Sequence, residues 1–145
     1  MRIRPLQPNK RKYMYEITIT TVPNANDVKM IDAGYEHVCA HWDLVADWFT
    51  ECINQNLILN LCVVDPTGEE WPDITMYYAV DAESAQQFVD AWTDLDAEFS
   101  MGKLWNMINF SQTISIKEID FEQVWAETIV NEDKSELWSV WRKPV

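Results

Sequence analysis

The sequence predicts an α+β fold with the element order β-α-β-β-α-β. One observation is a pair of apolar, strand-like runs at residues 57–64 and 74–80, joined by a connector with two prolines and a glycine at 66–72. Proline has no N–H to donate to a β-ladder, and glycine accepts the positive φ that turns require. The connector is therefore predicted to be the loop of a β-hairpin. The other observation is helical periodicity on both sides of the hairpin, in residues 35–54 and from Ala82 onward.

The first hairpin strand is apolar on both faces. Only Asn60 interrupts the pattern in residues 57–64. Such a strand is normally covered on both sides or lies in the middle of a sheet. We therefore expect the hairpin to be central, with cover needed on both of its faces.

Two further strands complete the predicted sheet. Residues 13–22 alternate, with Tyr13, Tyr15, Ile17 and Ile19 on the face that we expect to be buried. Residues 113–119 form the last strand. Its alternation slips near Lys117 and Glu118, which predicts a bulge or a strand end.

The first helical segment, residues 35–54, predicts one amphipathic helix packed on the sheet. Asp43, Asp47 and Glu51 form an acidic ridge on its polar side at successive four-residue steps. Like charges at this spacing disfavour a helix, so burial of the apolar stripe must outweigh them.

The second helical segment begins after Asp81, a good N-cap residue. Its buried face is predicted to run from Ala85 to Leu95. Another helical pattern covers residues 99–108, and Gly102 predicts a bend or break between the two helices.

Two structures fit the extension at residues 121–145. Residues 121–130 are typical of a short helix capped by Asp120, whereas 127–130 and 137–142 also fit two strands around a polar loop. We favour a terminal hairpin after a short helix.

The predicted order is the split βαβ arrangement of a ferredoxin-like fold, an antiparallel sheet with helices on one face. Residues 75–92, TMYYAVDAESAQQFVDAW, resemble the strand and capped helix of the dimeric α/β-barrel superfamily. That resemblance implies a homodimer of facing sheets. It also implies a cavity between sheet and helices, which some members use for cofactor-free oxidation, haem chemistry or small-ligand sensing. No catalytic residue of those members matches a position in this sequence.

Length and cysteine usage predict a single α+β domain, residues 13–145, in the cytoplasm. The odd number of cysteines, Cys39, Cys52 and Cys62, and the lack of C-x-x-C spacing predict reduced core thiols rather than a disulfide framework. No apolar run approaches the ~18 residues of a membrane span, and the N-terminus lacks the apolar region of a signal peptide.

Charge is distributed unevenly along the chain. The formal net charge is −13, from 11 Lys and Arg against 24 Asp and Glu. Residues 1–12 form a basic arm, expected to be flexible, that contains no acid but five bases: Arg2, Arg4, Lys10, Arg11 and Lys12. The remaining six bases and 24 acids give the body −18. The body should repel nucleic acid, so only the arm is expected to contact phosphate, an anionic partner or a neighbouring copy.

The two histidines, His37 and His41, are four residues apart and would point the same way on a helix. Such a pair chelates Zn²⁺ or another divalent metal when further ligands come from elsewhere. The alternative is that each histidine makes an ordinary structural hydrogen bond. Apart from this metal, the sequence predicts no cofactor, and it contains no phosphate-binding glycine loop.

Trp138 and Trp141 would lie on opposite faces of a strand. At least one should then be exposed unless a partner covers it, so we interpret the pair and the basic arm as candidate partner-binding residues.

Three functions remain open at this point, and the first is preferred because it asks least of residues that the sequence does not place. The first is a non-catalytic homodimeric module that binds a small ligand or a protein partner, because the second sheet face needs cover. The second is a cofactor-free oxygenase-like enzyme, by fold analogy alone. The third is an acidic mimic that occupies the nucleic-acid-binding surface of another protein.

Overall fold

The computed structural model describes residues 13–24, 28–65, 72–120, 122 and 136–138. Its elements, in chain order, are β1 (Tyr13–Pro23), α1 (Val28–Ala40), α2 (Trp42–Asn54), β2 (Cys62–Asp65), β3 (Asp73–Ala79), α3 (Ala82–Thr93), α4 (Met101–Met107), β4 (Phe110–Asp120) and β5 (Glu136–Trp138). The strands form one sheet in the order β4-β1-β3-β2-β5, and all neighbours are antiparallel. The predicted α+β class is therefore confirmed.

All four helices pack on one face of the sheet. The core cluster on this face combines Ile17, Ile19, Cys62, Tyr77 and Ala79 from the strands with residues of every helix: Val38, Phe49, Phe88 and Leu104 among them. These strand residues alternate along β1 and β3 and so share one side of the sheet. The outer surfaces of the helices consequently share one side of the protein.

Aromatic rings form the centre of this helix-packed face. Tyr77 of β3 stacks on Phe49 of α2, with 5.4 Å between ring centroids, and contacts Phe88 and Trp92 of α3 at 5.3 and 6.1 Å. Trp48 of α2 closes the group, since its ring lies 5.5 Å from Phe88 and 5.6 Å from Trp92. This aromatic cluster joins α2 and α3 to each other and to the sheet.

A short chain of hydrogen bonds connects the same cluster to the edge of the sheet. The indole Nε1 of Trp92 donates to Oε1 of Gln112 over 2.8 Å, and Nε2 of Gln112 donates to the hydroxyl of Thr21 over 3.0 Å. Thr21 is only 3 % exposed, so its polar group is buried with a partner. The chain connects α3, β4 and β1 through side chains alone.

The opposite face of the sheet carries a second, smaller cluster. Met14, Leu61, Val63, Tyr78 and Ile119 are its buried members. The alternation of β1 predicts an outward-facing Met14, yet this residue is 0 % exposed. The expectation that only one face of β1 is buried is therefore wrong at this end of the strand.

The predicted single helix over residues 35–54 is in fact two helices, because α1 ends and α2 begins on either side of His41. The backbone N–H of His41 donates to the carbonyls of both His37 and Val38, at 3.2 and 3.1 Å. Its ring Nδ1 also bonds the His37 carbonyl, at 2.8 Å. The end of α1 thus has its acceptors satisfied locally, which permits the break.

The predicted strand at residues 57–64 is shorter than expected, because β2 contains only Cys62–Asp65. Asn56 takes a positive φ of 61° after α2 and redirects the chain. Leu57 and Ile58 then pack into the helix-side cluster instead of pairing as a strand. This apolar run has the composition of a strand, but before β2 begins it bonds to the sheet at Leu59, whose N–H donates to the carbonyl of Tyr78 at 2.8 Å.

The turn into α3 follows the prediction, since Oδ1 of Asp81 accepts the N–H of Ser84 at 2.7 Å. The predicted break at Gly102 is wrong: Ser100 caps α4, and Gly102 lies in its first turn. Leu95, predicted to be buried, is 55 % exposed because α3 already ends at Thr93.

β4 is longer than predicted and regular. Its register with β1 is continuous through Lys117 and Glu118, so the expected bulge is absent from this strand. Glu118 accepts a hydrogen bond from the hydroxyl of Tyr15, its partner residue in β1, over 3.3 Å. This polar pair interrupts the apolar alternation of β4 without distorting the ladder.

Replacing Gly102 by alanine is expected to destabilise the fold. A Cβ there would lie 2.5 Å from the carbonyl oxygen of Trp92, so the α3–α4 contact must widen. Overpacking costs about 1–3 kcal/mol, against about 1 kcal/mol gained in helix propensity. Urea unfolding of Gly102→Ala should show a lower free energy of unfolding than the wild type.

Gly34→Ala is the matched control for this measurement. Its added Cβ would meet the ring edge of Phe110 at 2.9 Å, and a side chain yields more easily than backbone. It gains the same helix propensity and should lose less stability than Gly102→Ala. An unchanged or raised stability of Gly102→Ala would contradict the close α3–α4 packing.

Candidate functional site

A row of carboxylates follows the outer side of α2. Asp43, Asp47 and Glu51 are all exposed and lie four residues apart on a regular helix. Four residues of α-helix advance about 6 Å along the axis and turn by about 40°, so the three charges form a ridge inclined to the helix axis. The predicted acidic ridge is therefore present on the surface.

The other helices extend this acidity. Asp32 and Glu36 are exposed on α1, and Glu83 and Asp90 are exposed on α3. The segment after α3 adds three exposed acids: Asp94, Asp96 and Glu98. We call the seven carboxylates of α1, α2 and α3 the helical acidic surface, and the three acids of the segment after α3 lie outside it.

Several of these carboxylates bind neutral amide donors. Nε2 of Gln55 donates to Glu51 at 2.6 Å, and Nε2 of Gln86 donates to Asp90 at 2.9 Å. A third pair, one helical turn apart, is Gln87 with Glu83 at 3.4 Å. An amide restricts a carboxylate without neutralising it, so the negative charge of the surface is kept.

Positive charge is missing from this part of the chain. Residues 30–102 contain 15 Asp and Glu and not one Lys or Arg. Lys103, which follows directly, lies on α4 and donates from Nζ to the carbonyl of Ala97 at 3.0 Å. A one-sided cluster of like charges creates a strong local potential that attracts cationic surfaces.

The predicted histidine pair is brought together at the α1–α2 break. The rings of His37 and His41 have centroids 4.3 Å apart, but Nδ1 of His41 is occupied by the His37 carbonyl. Within the described residues no set of three or more His, Cys, Asp or Glu is arranged to hold a metal ion. His41 thus makes the structural hydrogen bond of the alternative interpretation, and the closeness of the two rings is also what the metal-binding hypothesis requires.

Metal binding by this pair remains a prediction that titration calorimetry with Zn²⁺ can test. Two histidines one turn apart should bind the ion weakly and release protons as they do so. His37→Ala should abolish the heat of binding, because one imidazole alone is a poor chelate. An equal heat with His37→Ala would show that the ion binds elsewhere.

The cysteines divide into buried and exposed residues. Cys52 and Cys62 are buried, as predicted, whereas Cys39 is exposed on α1, so its assignment to the core was wrong. Burial raises the pKa of both buried thiols to about 12, and the charge of Glu51 adds to the shift at Cys52. Neutral, enclosed thiols are poor nucleophiles near neutral pH.

A small polar group surrounds Cys62 on the helix-packed face. Tyr77 lies directly opposite Cys62 in the β2–β3 ladder and hydrogen-bonds to its thiol. Burial raises the pKa of Tyr77 well above its ordinary value, and burial also raises the pKa of Asp73 against an opposing hydrogen bond from Thr75. All of these shifts favour the uncharged forms, which suits packing better than acid–base catalysis.

The buried thiols predict a loss of stability in alkaline solution. Their folded pKa of about 12 lies above the ordinary value of 9.0. Their contribution is therefore complete below pH 9 and is lost as pH rises from 9 toward 12, because unfolded thiols ionise first. Urea titrations at increasing pH should show a falling free energy of unfolding.

The matched variants for this pH series are Cys52→Ala with Cys62→Ala, and Cys39→Ala alone. In the double variant the free energy of unfolding should fall less steeply with pH. Part of the fall should remain, because the pKa of buried Tyr77 is also raised. Cys39→Ala should follow the wild type. A slope that the double variant leaves unchanged would refute the role of the buried thiols.

The remaining candidate residues are only partly described. The backbone of Trp138 lies in β5, opposite Cys62 at the β2 edge of the sheet. Trp141 and the basic arm lie outside the described residues, the latter with Arg2, Arg4, Lys10, Arg11 and Lys12. The predicted partner-binding role of these residues therefore stays a prediction.

Comparisons with known protein families, curated proteins and solved structures found no match for this chain. In the described residues, no helix combines the length and apolar character needed to cross a membrane. The features of this chain that bear on function are the helical acidic surface and the sheet.

Sequence reasoning identified the acidic ridge on α2 but missed its extent. The signal was available, because the 73 positions between Lys29 and Lys103 contain no other cation. The prediction already placed the helices on one face of the sheet, but it did not combine the acidic stretches of α1, α2 and α3. That packing turns separate acidic stretches into a shared surface.

Proposed function

We propose that this chain is a non-catalytic binding module whose helical acidic surface holds the basic surface of another protein. The partner class is a protein that binds nucleic acid through Lys and Arg. The supporting observation is the carboxylate row on α2, flanked by exposed acids of α1 and α3 with no Lys or Arg in residues 30–102. This is the acidic-mimic alternative, now preferred over a module that binds small ligands.

Charge spacing supports the proposal. One strand of duplex DNA carries a phosphate about every 3.4 Å along its axis, so alternate phosphates are separated by about 6.8 Å along that axis. The α2 carboxylates advance by about 6 Å per step along the helix axis. These similar axial repeats support pairing of Asp43, Asp47 and Glu51 with basic side chains that are spaced for phosphates.

Preorganisation of the surface supports it further. α2 is held by Phe49 against Tyr77 and by Trp48 against Phe88, so the helix presents its charges from a rigid base. The amide of Gln55 restricts the Glu51 side chain before any partner arrives. Binding then loses less side-chain entropy than it would with mobile carboxylates.

The interior favours binding over catalysis. The space between the sheet and α2 or α3 holds five rings in mutual contact: Trp48, Phe49, Tyr77, Phe88 and Trp92. The titratable groups beside them are shifted toward their neutral forms. The oxygenase-like alternative depends on a cavity between these layers, so this packing counts against it.

We further infer that the order β4-β1-β3-β2 is a ferredoxin-like core to which β5 adds a short edge strand. The supporting facts are the antiparallel pairing of these four strands and the helices on one face. We propose a cytoplasmic location, where the free thiols of Cys39, Cys52 and Cys62 remain reduced.

A displacement assay tests the proposed function. Fluorescent duplex DNA is bound to a nonspecific basic DNA-binding protein of the HU type, and anisotropy is followed as the chain is added. The wild type should release the DNA. A variant with Asp43→Asn, Asp47→Asn and Glu51→Gln should be about tenfold weaker, because each exposed ion pair contributes about 0.2–1 kcal/mol.

The matched control carries Asp94→Asn, Asp96→Asn and Glu98→Gln, which removes the same charge while leaving α2 intact. It should retain most of the activity, and added salt should weaken displacement by all forms. Equal losses in the two triple variants would mean that only net charge matters. No displacement by the wild type at low salt would contradict the proposal.

A further inference from the structure

β4 forms one edge of the sheet. Its eleven residues pair with β1 along their whole length, and in the described part of the chain no strand lies on its other side. Side chains alternate along it, with Thr113 and Ser115 exposed and Ile114 and Ile116 half-buried against the helix-side core. A long edge strand offers a row of backbone donors and acceptors to another strand.

The middle of this edge lacks the usual protection against pairing. Natural edges are interrupted by charges, prolines or bulges. Residues 113–116, with the sequence TISI, contain no charge and no proline, and their register with β1 is continuous. Lys117 is the first charged residue that follows. Among the described residues, nothing therefore pairs with the outer side of the central part of this strand.

The side chains of β4 are self-complementary in one antiparallel register. With a two-fold axis through Ser115, Ile114 faces Ile116 of the second copy, and Thr113 faces Lys117. Cross-strand pairs of β-branched residues stabilise a sheet, and no like charges stand opposite each other here. Moving the axis to Lys117 would instead place two lysines face to face. Of these two registers, the side chains of the strand therefore favour the one centred on Ser115.

We propose that two copies of this chain pair through the outer edges of their β4 strands, about a two-fold axis at Ser115, to give a continuous ten-stranded sheet. The even register keeps the helices of both copies on the same side. Because the same edge is used twice, the contact closes as a dimer rather than growing into a filament. This differs from the face-to-face pairing that the family resemblance implied.

The charge of the chain predicts how this dimer depends on salt. Two copies of formal charge −13 repel each other, and salt screens that repulsion. Association should therefore strengthen as salt is added. Binding of the helical acidic surface to a basic protein should weaken under the same change, so failure of one proposal is distinguishable from failure of the other.

Sedimentation velocity of the wild type across a salt series is the test, together with Ser115→Lys. This substitution changes an exposed side chain but places two lysines opposite each other on the axis. The wild type should dimerise more with salt, and Ser115→Lys should weaken the dimer at least about tenfold. Gln86→Lys, an exposed α3 change that adds the same charge, should dimerise as well as the wild type or better.

Equal urea midpoints at low salt and low protein concentration, where all three proteins are monomeric, establish that folding is intact. A wild type that stays monomeric at high salt and high protein concentration overturns the proposal. So does a dimer that Ser115→Lys leaves unchanged, because that dimer must use another surface. As a second measurement, Ser115→Cys in a Cys39→Ser background should form a disulfide-linked dimer under mild oxidation, and a failure to cross-link overturns the register.

Discussion

The packing of aromatic rings around Tyr77 is the interaction on which the rest of the structure depends. α2 carries like charges at successive turns, and each such pair disfavours the helix by about 0.2–0.5 kcal/mol. Each aromatic pair on its other side contributes about 0.5–1.5 kcal/mol beyond area burial, and Trp48 and Phe49 make several. Aromatic packing therefore outweighs the charge repulsion, and the acidic row stays helical although its own charges disfavour the helix.

Much of this architecture could be predicted from periodicity. The alternation in β1 and β3, the Asp81 cap and the apolar stripe on α2 each show in the sequence, because local geometry and burial impose the same period. The acidic ridge was visible for the same reason. Its residues, Asp43, Asp47 and Glu51, repeat every four positions, which only a helix brings into line.

Periodicity missed features that depend on particular hydrogen bonds, backbone angles or distant partners. At the break, the backbone and ring nitrogens of His41 bond to the carbonyl of His37, which no hydrophobic pattern reports. Leu57 and Ile58 have strand composition, but the positive φ of Asn56 sends them between layers. The burial of Met14 depends on a second cluster on the far side of the sheet. The hydrophobic pattern was overridden by local geometry at His41 and Asn56 and by tertiary contacts at Met14.

The absence of cations between Lys29 and Lys103 also determines how this protein responds to common reagents. Neither α2 nor α3 contains a primary amine, so amine-reactive dyes, cross-linkers and coupling surfaces cannot attach to those helices. Trypsin finds no cleavage site in them either. An amine-coupled sample therefore keeps the outer sides of α2 and α3 chemically unmodified, and carboxyl-directed chemistry is the route to labelling them.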